Sequence, residues 1–164
     1  MKKLIIVIGL LMMAITWGMA LQAADNVDRP AIYDPGLDVK TAIKTAMAQS
    51  AKENKHILLM FGGNWCPWCH KLHHLFDSNK TIKDYLAKHF ILILVDVGEK
   101  ADEPLNRDLV DFYRVKGFGY PSLAVVSPYG RVLSAQSTGV LETDKAHDPA
   151  RVLGFLKAVA PSKK

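Results

Sequence analysis

The sequence predicts an α/β domain in which a mixed β-sheet is covered by helices on both faces. Two strongly apolar segments, HILLMFGG (56–63) and FILILVDV (90–97), have the composition of strands that are buried on both sides. Segments with a helical spacing of apolar residues alternate with them, and the turn signal PYGR (128–131) separates two further strand segments. The resulting order of helix, strand, helix, strand, helix, strand, strand, helix implies such a sheet.

In the first half of the domain, residues 37–55 are expected to form an amphipathic helix that leads into the strand at 56–63. The spacing of one face is carried by Val39, Ile43, Ala46, Met47 and Ser50. The motif NWCPWCHKLHH (64–74) begins where this strand ends, so Cys66 would lie at the start of the next helix. A short helix over residues 81–89 then precedes the second apolar strand.

In the second half, Pro104 suits the first turn of a further helix. Its inner face would carry Leu105, Leu109, Phe112 and Tyr113. The glycine-rich loop KGFGYPS (116–122) leads to the strand LAVVS (123–127), and a paired hairpin strand runs to about residue 136. Asp148 and Pro149 mark the start of the last helix. Its apolar face consists of Val152, Leu153, Leu156 and Val159.

The N-terminal residues have the layout of a secretory signal peptide, with two lysines, an apolar run over residues 4–13 and then small residues. We predict that residues 1–23 are removed, that 24–36 form an extended lead-in, that 37–160 form the domain and that 161–164 form a frayed basic tail. An uncleaved membrane anchor is the alternative, because the apolar stretch over residues 4–20 approaches the roughly 17 to 25 residues that span a bilayer. The layout predicts export to an oxidising compartment.

Composition and charge favour one ordinary globular domain. The 164 residues are 49% hydrophobic and 23% charged. Without Lys2 and Lys3, the 21 basic residues become 19 against 16 acidic ones, a net charge of +3. No basic stripe with interleaved aromatic residues is present, so the sequence gives no support to nucleic-acid binding.

The chain has two cysteines, Cys66 and Cys69, and their spacing is compatible with three kinds of chemistry. A Cys-x-x-Cys pair can be a redox centre or half of a zinc site, and with His70 directly after it can attach a haem. A disulfide between the two closes almost no loop and so adds little stability. The pair is therefore expected to serve chemistry rather than structure.

A strand ending in MFGGNWCPWC, a second strand and then GYPSLAVV resembles the thioredoxin superfamily, over roughly residues 37–160. The pattern is most similar to exported thioredoxin-like proteins with a tryptophan before the motif, which implies a periplasmic thiol:disulfide oxidoreductase. The resemblance implies a thioredoxin fold, a cis bond before Pro121 and no cofactor beyond the Cys66–Cys69 disulfide. The implied partners are exported proteins with thiols or disulfides and a membrane or soluble thiol electron donor, and we expect a monomer.

The start of a helix suits Cys66 as the nucleophile. Unpaired N–H groups and the positive end of the helix dipole there stabilise a thiolate. Cys69, one turn deeper, would attack the mixed disulfide and release the partner. His70 is a candidate for tuning the thiolate, with an exposed bystander role as the alternative.

Three aromatic residues are candidates for contact with a polypeptide substrate. Trp65 and Trp68 would give the site an apolar rim, although Trp65 equally suits structural packing. Tyr120 lies just before Pro121, where an extended partner could pair with the backbone.

One departure from the family pattern concerns the base that deprotonates the second cysteine. Thioredoxins carry a buried aspartate six residues before the first cysteine, and that position is Met60 here. Water, His73 or a carboxylate elsewhere are the open substitutes.

The residues of the motif also bear on the direction of electron flow and on the alternatives to a redox centre. The Pro-Trp dipeptide between the cysteines is closer to the Cys-Pro-Tyr-Cys of glutaredoxins than to the Gly-Pro of thioredoxin, which favours a reductase or isomerase over an oxidase. A c-type haem protein and a non-catalytic binding module of the same fold remain the alternatives. A zinc site is disfavoured because no second pair of cysteines exists.

Overall fold

The structure is a computed structural model that describes residues 29–98 and 105–162. The helices are α1 (Val39–Glu53), α2 (Pro67–Ser78), α3 (Lys80–His89), α4 (Arg107–Phe112) and α5 (Pro149–Val159). The strands are β1 (His56–Gly62), β2 (Phe90–Asp96), β3 (Ser122–Val126) and β4 (Val132–Ser137), followed by a 3-10 turn over Thr138–Leu141. The predicted signal peptide, Pro104 and the last two residues of the predicted tail lie outside the described residues.

The four strands form one mixed sheet in the order β2-β1-β3-β4. β1 pairs in parallel with β2 and antiparallel with β3, and β3 pairs antiparallel with β4. The predicted mixed sheet is therefore present. The prediction that β2 is buried on both sides is wrong, because β2 lies at the sheet edge and Ile91, Leu92 and Leu94 are only half-buried.

Helix α4 is shorter than the sequence predicted and directs different residues towards the sheet. It begins at Arg107 and has only six residues. Leu109 and Tyr113 are buried as expected, but Phe112 is 63% exposed and packs its ring edge against Tyr113. The buried stripe of this helix runs through Leu109 and Val110, so Phe112 points away from the sheet.

Helices cover both faces of the sheet, as predicted, and each face has its own apolar cluster. Because side chains alternate along a strand, Leu58 and Met60 of β1 pack on one face while Leu59 and Phe61 pack on the other. The first face also holds both cysteines and packs against α2, α3 and α5; we call it the cysteine face. The opposite face packs against α1 and α4, and we call it the far face.

Among the helices within residues 29–98 and 105–162, none combines the length and the hydropathy needed to cross a bilayer.

Candidate active site

The two cysteines lie where β1 ends and α2 begins. Cys66 is the N-cap residue of α2, and Pro67 occupies the first turn, where its missing N–H costs nothing. Cys66 and Cys69 are joined by a disulfide, with their Cα atoms 5.2 Å apart. The backbone N–H of Cys69 donates to Sγ of Cys66 over 3.1 Å. The helix start thus directs an N–H group at the sulfur that would carry the thiolate charge.

Burial distinguishes the two sulfur-bearing residues only slightly. Cys66 is 3% exposed and Cys69 is 0% exposed. The small exposed fraction of Cys66 makes it the member of the pair that a partner thiol or disulfide could reach. This agrees with the expected order of attack, although the roles of the two residues stay a prediction.

Pro121 is brought to the same end of the sheet by strand register. Phe61 pairs with Ser122 in the antiparallel β1–β3 ladder, so Pro121 precedes β3 at the end of β1 from which the cysteine loop leaves. The Tyr120–Pro121 peptide bond is cis. The carbonyl of Pro121 accepts a 2.6 Å hydrogen bond from the buried hydroxyl of Thr138, which fixes the start of β3.

Of the three aromatic residues, Trp65 is exposed, whereas Tyr120 and Trp68 are half-buried. Trp65 is 43% exposed, packs edge-on against Tyr120 with ring centroids 6.0 Å apart, and donates from Nε1 to the carbonyl of Gly98. Trp68 is half-buried and packs edge-on against His147, while Lys71 Nζ lies 4.1 Å from its ring centroid. Trp65 and Tyr120 are thus placed together beside Pro121, and Trp68 is held by the cysteine face.

His70 is bound to the loop that precedes the motif. Its Nε2 lies 2.8 Å from the carbonyl oxygen of Asn64, and because a carbonyl only accepts, Nε2 carries the hydrogen. The ring anchors the Asn64 loop to α2, and its influence on the Cys66 thiolate stays a prediction.

Comparison with known proteins identifies the family. The model of a thioredoxin-like family matches residues 38–128, more than half of the chain. The chain belongs to the thioredoxin-like family. Its fold is the thioredoxin fold, an α/β arrangement with a mixed sheet.

Two solved structures resemble this thioredoxin-like domain. A disulphide isomerase from Xylella fastidiosa Temecula1 is 29% identical with a TM-score of 0.68, covering 78% of this chain and 95% of that one. A structure described as DsbH oxidoreductase is 25% identical with a TM-score of 0.50, covering 70% of this chain and 78% of that one. Together with the Cys66–Cys69 disulfide, these similarities support thiol:disulfide exchange as the chemistry of the site.

A curated relative matches over a smaller region. Spermatogenesis-associated protein 20 from Mus musculus is 37% identical over 85 residues, which cover 51% of this chain and 10% of that protein. The chain spans about a tenth of the length of the curated relatives it matches. The match therefore adds support for the domain and none for a substrate.

The thioredoxin-like site includes residues that sequence reasoning did not select. Tyr33 comes from the predicted lead-in, yet it is 2% exposed and belongs to the cysteine-face cluster. Asn64 holds it, and Gly62 leaves room for it beside Cys69. The available signal was one aromatic residue in a mostly polar segment, whose few apolar residues follow neither a helical nor a strand spacing.

His147 is a second residue that the sequence did not reveal. It lies in a loop before α5 and is buried under Trp68. Burial, and secondarily the positive charge of Lys71, lowers the pKa of His147 to about 4. The carboxylate of Glu142 lies 3.4 Å from Nε2 of His147.

Within the part of the chain that the structure describes, no group of three or more His, Cys, Asp or Glu side chains is placed to hold a metal ion.

Proposed function

We propose that this protein exchanges disulfides with exported proteins in the periplasm, as a reductase or isomerase, through Cys66 and Cys69. The observation that carries the proposal is the Cys66–Cys69 pair at the N-terminus of α2, with Pro121 beside it at the end of β1. The similarity to a disulphide isomerase supports a role as reductase or isomerase over a role as oxidase.

The chemistry needs only the two cysteines and a partner. In the reduced protein, the Cys66 thiolate attacks one sulfur of a partner disulfide and forms a mixed disulfide, and the other partner sulfur leaves and takes up a proton. The Cys69 sulfur then attacks Cys66 and releases the second partner sulfur as a thiol. The partner has gained two electrons, and the protein carries the Cys66–Cys69 disulfide until a membrane or soluble thiol donor reduces it.

An extended polypeptide is the substrate that fits the surroundings of the pair. Trp65 and Tyr120 offer apolar surface next to the cysteine loop, and the backbone at Pro121 can pair with an extended strand. We expect Trp68 to contribute less, because its ring already packs against His147 and lies under the ammonium group of Lys71. The contacts that we expect between these aromatic residues and a substrate need no second copy of the chain. We therefore expect a monomer.

Export rests on residues 1–23, which have the layout of a signal peptide. Sequencing the N-terminus of the protein recovered from periplasmic extract would test it. A start at or near residue 24 supports cleavage, and an intact Met1 in the membrane fraction supports the anchored alternative.

Trapping of mixed disulfides tests the proposed reaction. We expect Cys69→Ser expressed in the periplasm to accumulate mixed disulfides with exported proteins, because Cys66 can attack but nothing resolves the product. Cys66→Ser is the matched control and should trap none. Equal trapping by both variants contradicts the assignment of roles, and trapping by neither contradicts the function.

The reduction potential tests the direction of electron flow. The Pro-Trp dipeptide leads us to expect a value between thioredoxin, at about −270 mV, and the strong periplasmic oxidant, at about −120 mV, near the roughly −200 to −230 mV of glutaredoxins. Equilibration against a glutathione series measures it. A value near about −120 mV would make the protein an oxidase.

A further inference from the structure

The hydroxyl of Tyr33 lies beside the sulfur of Cys69. A Cβ atom built on Gly62 would overlap both Sγ of Cys69 and Oη of Tyr33, so these two atoms converge on one small space that only a glycine leaves open. Oη is buried and has no hydrogen-bond partner among the described residues. A buried O–H group without a hydrogen-bond partner lowers the stability of the fold. Its position next to the disulfide therefore calls for a functional explanation.

Three hydrogen bonds hold Tyr33 in this position. Oδ1 of Asn64 accepts from the backbone N–H groups of Ile32 and Tyr33 over 2.8 and 2.9 Å, and Nδ2 of Asn64 donates to the carbonyl of Tyr33 over 2.9 Å. Asn64 lies two residues before Cys66. The segment that carries Tyr33 is therefore fastened to the cysteine loop itself.

Tyr33 remains a neutral donor. Burial, and secondarily the negative charge of Asp96, raises the pKa of Tyr33 above its ordinary value. Asp96 ends β2 and pairs in register with Gly62, and its Oδ1 accepts from the N–H of Gly98. The negative charge of Asp96 acts on Tyr33, whose ring is otherwise part of the hydrophobic cluster of the cysteine face.

Cys69 needs such a donor. It is fully buried, and burial in apolar surroundings raises the pKa of a thiol and disfavours the thiolate that must attack the mixed disulfide. The residue six positions before Cys66 is Met60, which offers no polar group. We propose that the Tyr33 hydroxyl donates a hydrogen bond to the Cys69 sulfur once the disulfide is open, and so stabilises the attacking thiolate.

This role rests on the proposed function, and the step it assists is balanced. The Cys69 thiolate forms the Cys66–Cys69 bond as the bond between Cys66 and the partner breaks. The partner sulfur leaves with the electron pair and takes up the proton that Cys69 lost, and Tyr33 keeps its own proton throughout. Tyr33 acts as a hydrogen-bond donor to a reacting atom, and no further oxidant or reductant takes part.

Stopped-flow oxidation of the reduced protein by glutathione disulfide separates the two chemical steps. Attack by Cys66 depends on the concentration of glutathione disulfide, whereas resolution by Cys69 does not. We expect Tyr33→Phe to slow the resolution phase about tenfold at neutral pH, the order expected for one hydrogen bond to a charged sulfur. The midpoint of its pH profile should rise by about one unit, and the attack phase should be unchanged.

Tyr113→Phe is the matched control, because Tyr113 is a buried tyrosine of the far face. It should leave both phases and the pH midpoint unchanged. Asn64→Ala should slow resolution by a smaller factor than Tyr33→Phe does. The double variant should be no slower than Tyr33→Phe alone. If Tyr33→Phe does not fold, Asn64→Ala provides the test.

Equilibrium measurements give an independent readout. Since the hydrogen bond forms only in the reduced protein, Tyr33→Phe should lower the equilibrium constant for reduction by glutathione about tenfold, or about 30 mV. The oxidised variant should unfold at the same temperature or higher, because an unpaired buried hydroxyl is removed. Unchanged resolution and potential in Tyr33→Phe, in a wild type that reacts in two phases, overturn the role of Tyr33. A wild type that does not react with glutathione disulfide refutes the proposed function and this role with it.

Discussion

The two faces of the sheet are built from the same strands but treat polar groups differently. Four buried side-chain polar atoms within the described residues have no hydrogen-bond partner, and three of them belong to Tyr33 and His147 on the side of the cysteines. The fourth is the hydroxyl of Ser122, which pairs with Phe61 and so lies on the far face. The buried residues of the far-face cluster are apolar, apart from the hydroxyl of Tyr113. Since an unsatisfied buried polar group costs roughly 1–3 kcal/mol, the cysteine face gives up stability where the chemistry takes place.

This difference implies that stability and reactivity can be changed separately. A substitution on the far face should alter the free energy of unfolding and leave the redox behaviour alone. A substitution beside the cysteines should alter both, or the redox behaviour alone. Substitutions of Leu59, Gly62, His147 and Gly154 test that separation.

Leu59→Ala should be the most destabilising of the four. Leu59 is fully buried on the far face at the centre of β1, and a truncation of this kind costs about 3 kcal/mol through lost burial and the cavity left behind. Urea unfolding of the oxidised variant measures the loss. The reduction potential should equal that of the wild type, and a clear shift would mean that the two faces are coupled.

Gly62→Ala should damage both properties. The added methyl would overlap Cys69 and Tyr33, both of which are fixed in the core, so we expect a loss of about 2 kcal/mol and slower reaction of the disulfide with dithiothreitol. Unfolding and the reduction rate are measured on the same sample. A variant with wild-type values for both would show that the space beside Cys69 is not tightly filled.

His147 should make the protein sensitive to acid. The unfolded histidine titrates near 6.5 and the native one at about 4, so the unfolded state binds more protons between these values. The stabilising contribution is complete above pH 6.5 and is lost as pH falls towards 4. Because solvent screens the charge of the exposed Lys71, we expect the free energy of unfolding to fall by only roughly 1–2 kcal/mol.

Unfolding of His147→Leu at pH 7 and at pH 4.5 measures this effect. The variant should lose less stability between the two pH values than the wild type. His74→Gln is the control, because His74 is exposed on α2 and should retain the wild-type slope. An unchanged slope in His147→Leu would assign the acid sensitivity to other groups.

Gly154→Ala should give the smallest effect and the opposite sign. Gly154 lies inside α5, and a Cβ there would meet no atom within 4 Å apart from its chain neighbours and the nearby helix backbone. Replacing a helical glycine with alanine is worth about 0.5–1 kcal/mol, because alanine loses less backbone freedom on folding. Thermal unfolding should shift upward with no change in potential. A lower midpoint would show that the position is crowded.

The order of helices and strands could be read from the sequence because local chemistry fixes it. The start of the last helix at Asp148 and the strand runs at 56–62 and 122–126 depend on a few neighbouring residues. The Cys-x-x-Cys spacing was equally local, and the resemblance to thioredoxins located Pro121. Burial of β2 was misjudged because its apolar composition does not say which strand lies at the edge.

Tertiary structure alone decided which other groups meet at the cysteines. Tyr33 and Asn64 are 31 residues apart, and their contact depends on how the lead-in packs against the loop after β1. His147 meets Trp68 for the same reason, since it comes from a loop with no periodicity. By itself the sequence determined the reactive pair and the elements that carry it, because those rest on short-range spacing. The hydroxyl beside Cys69 depends on long-range packing, which no local pattern encodes.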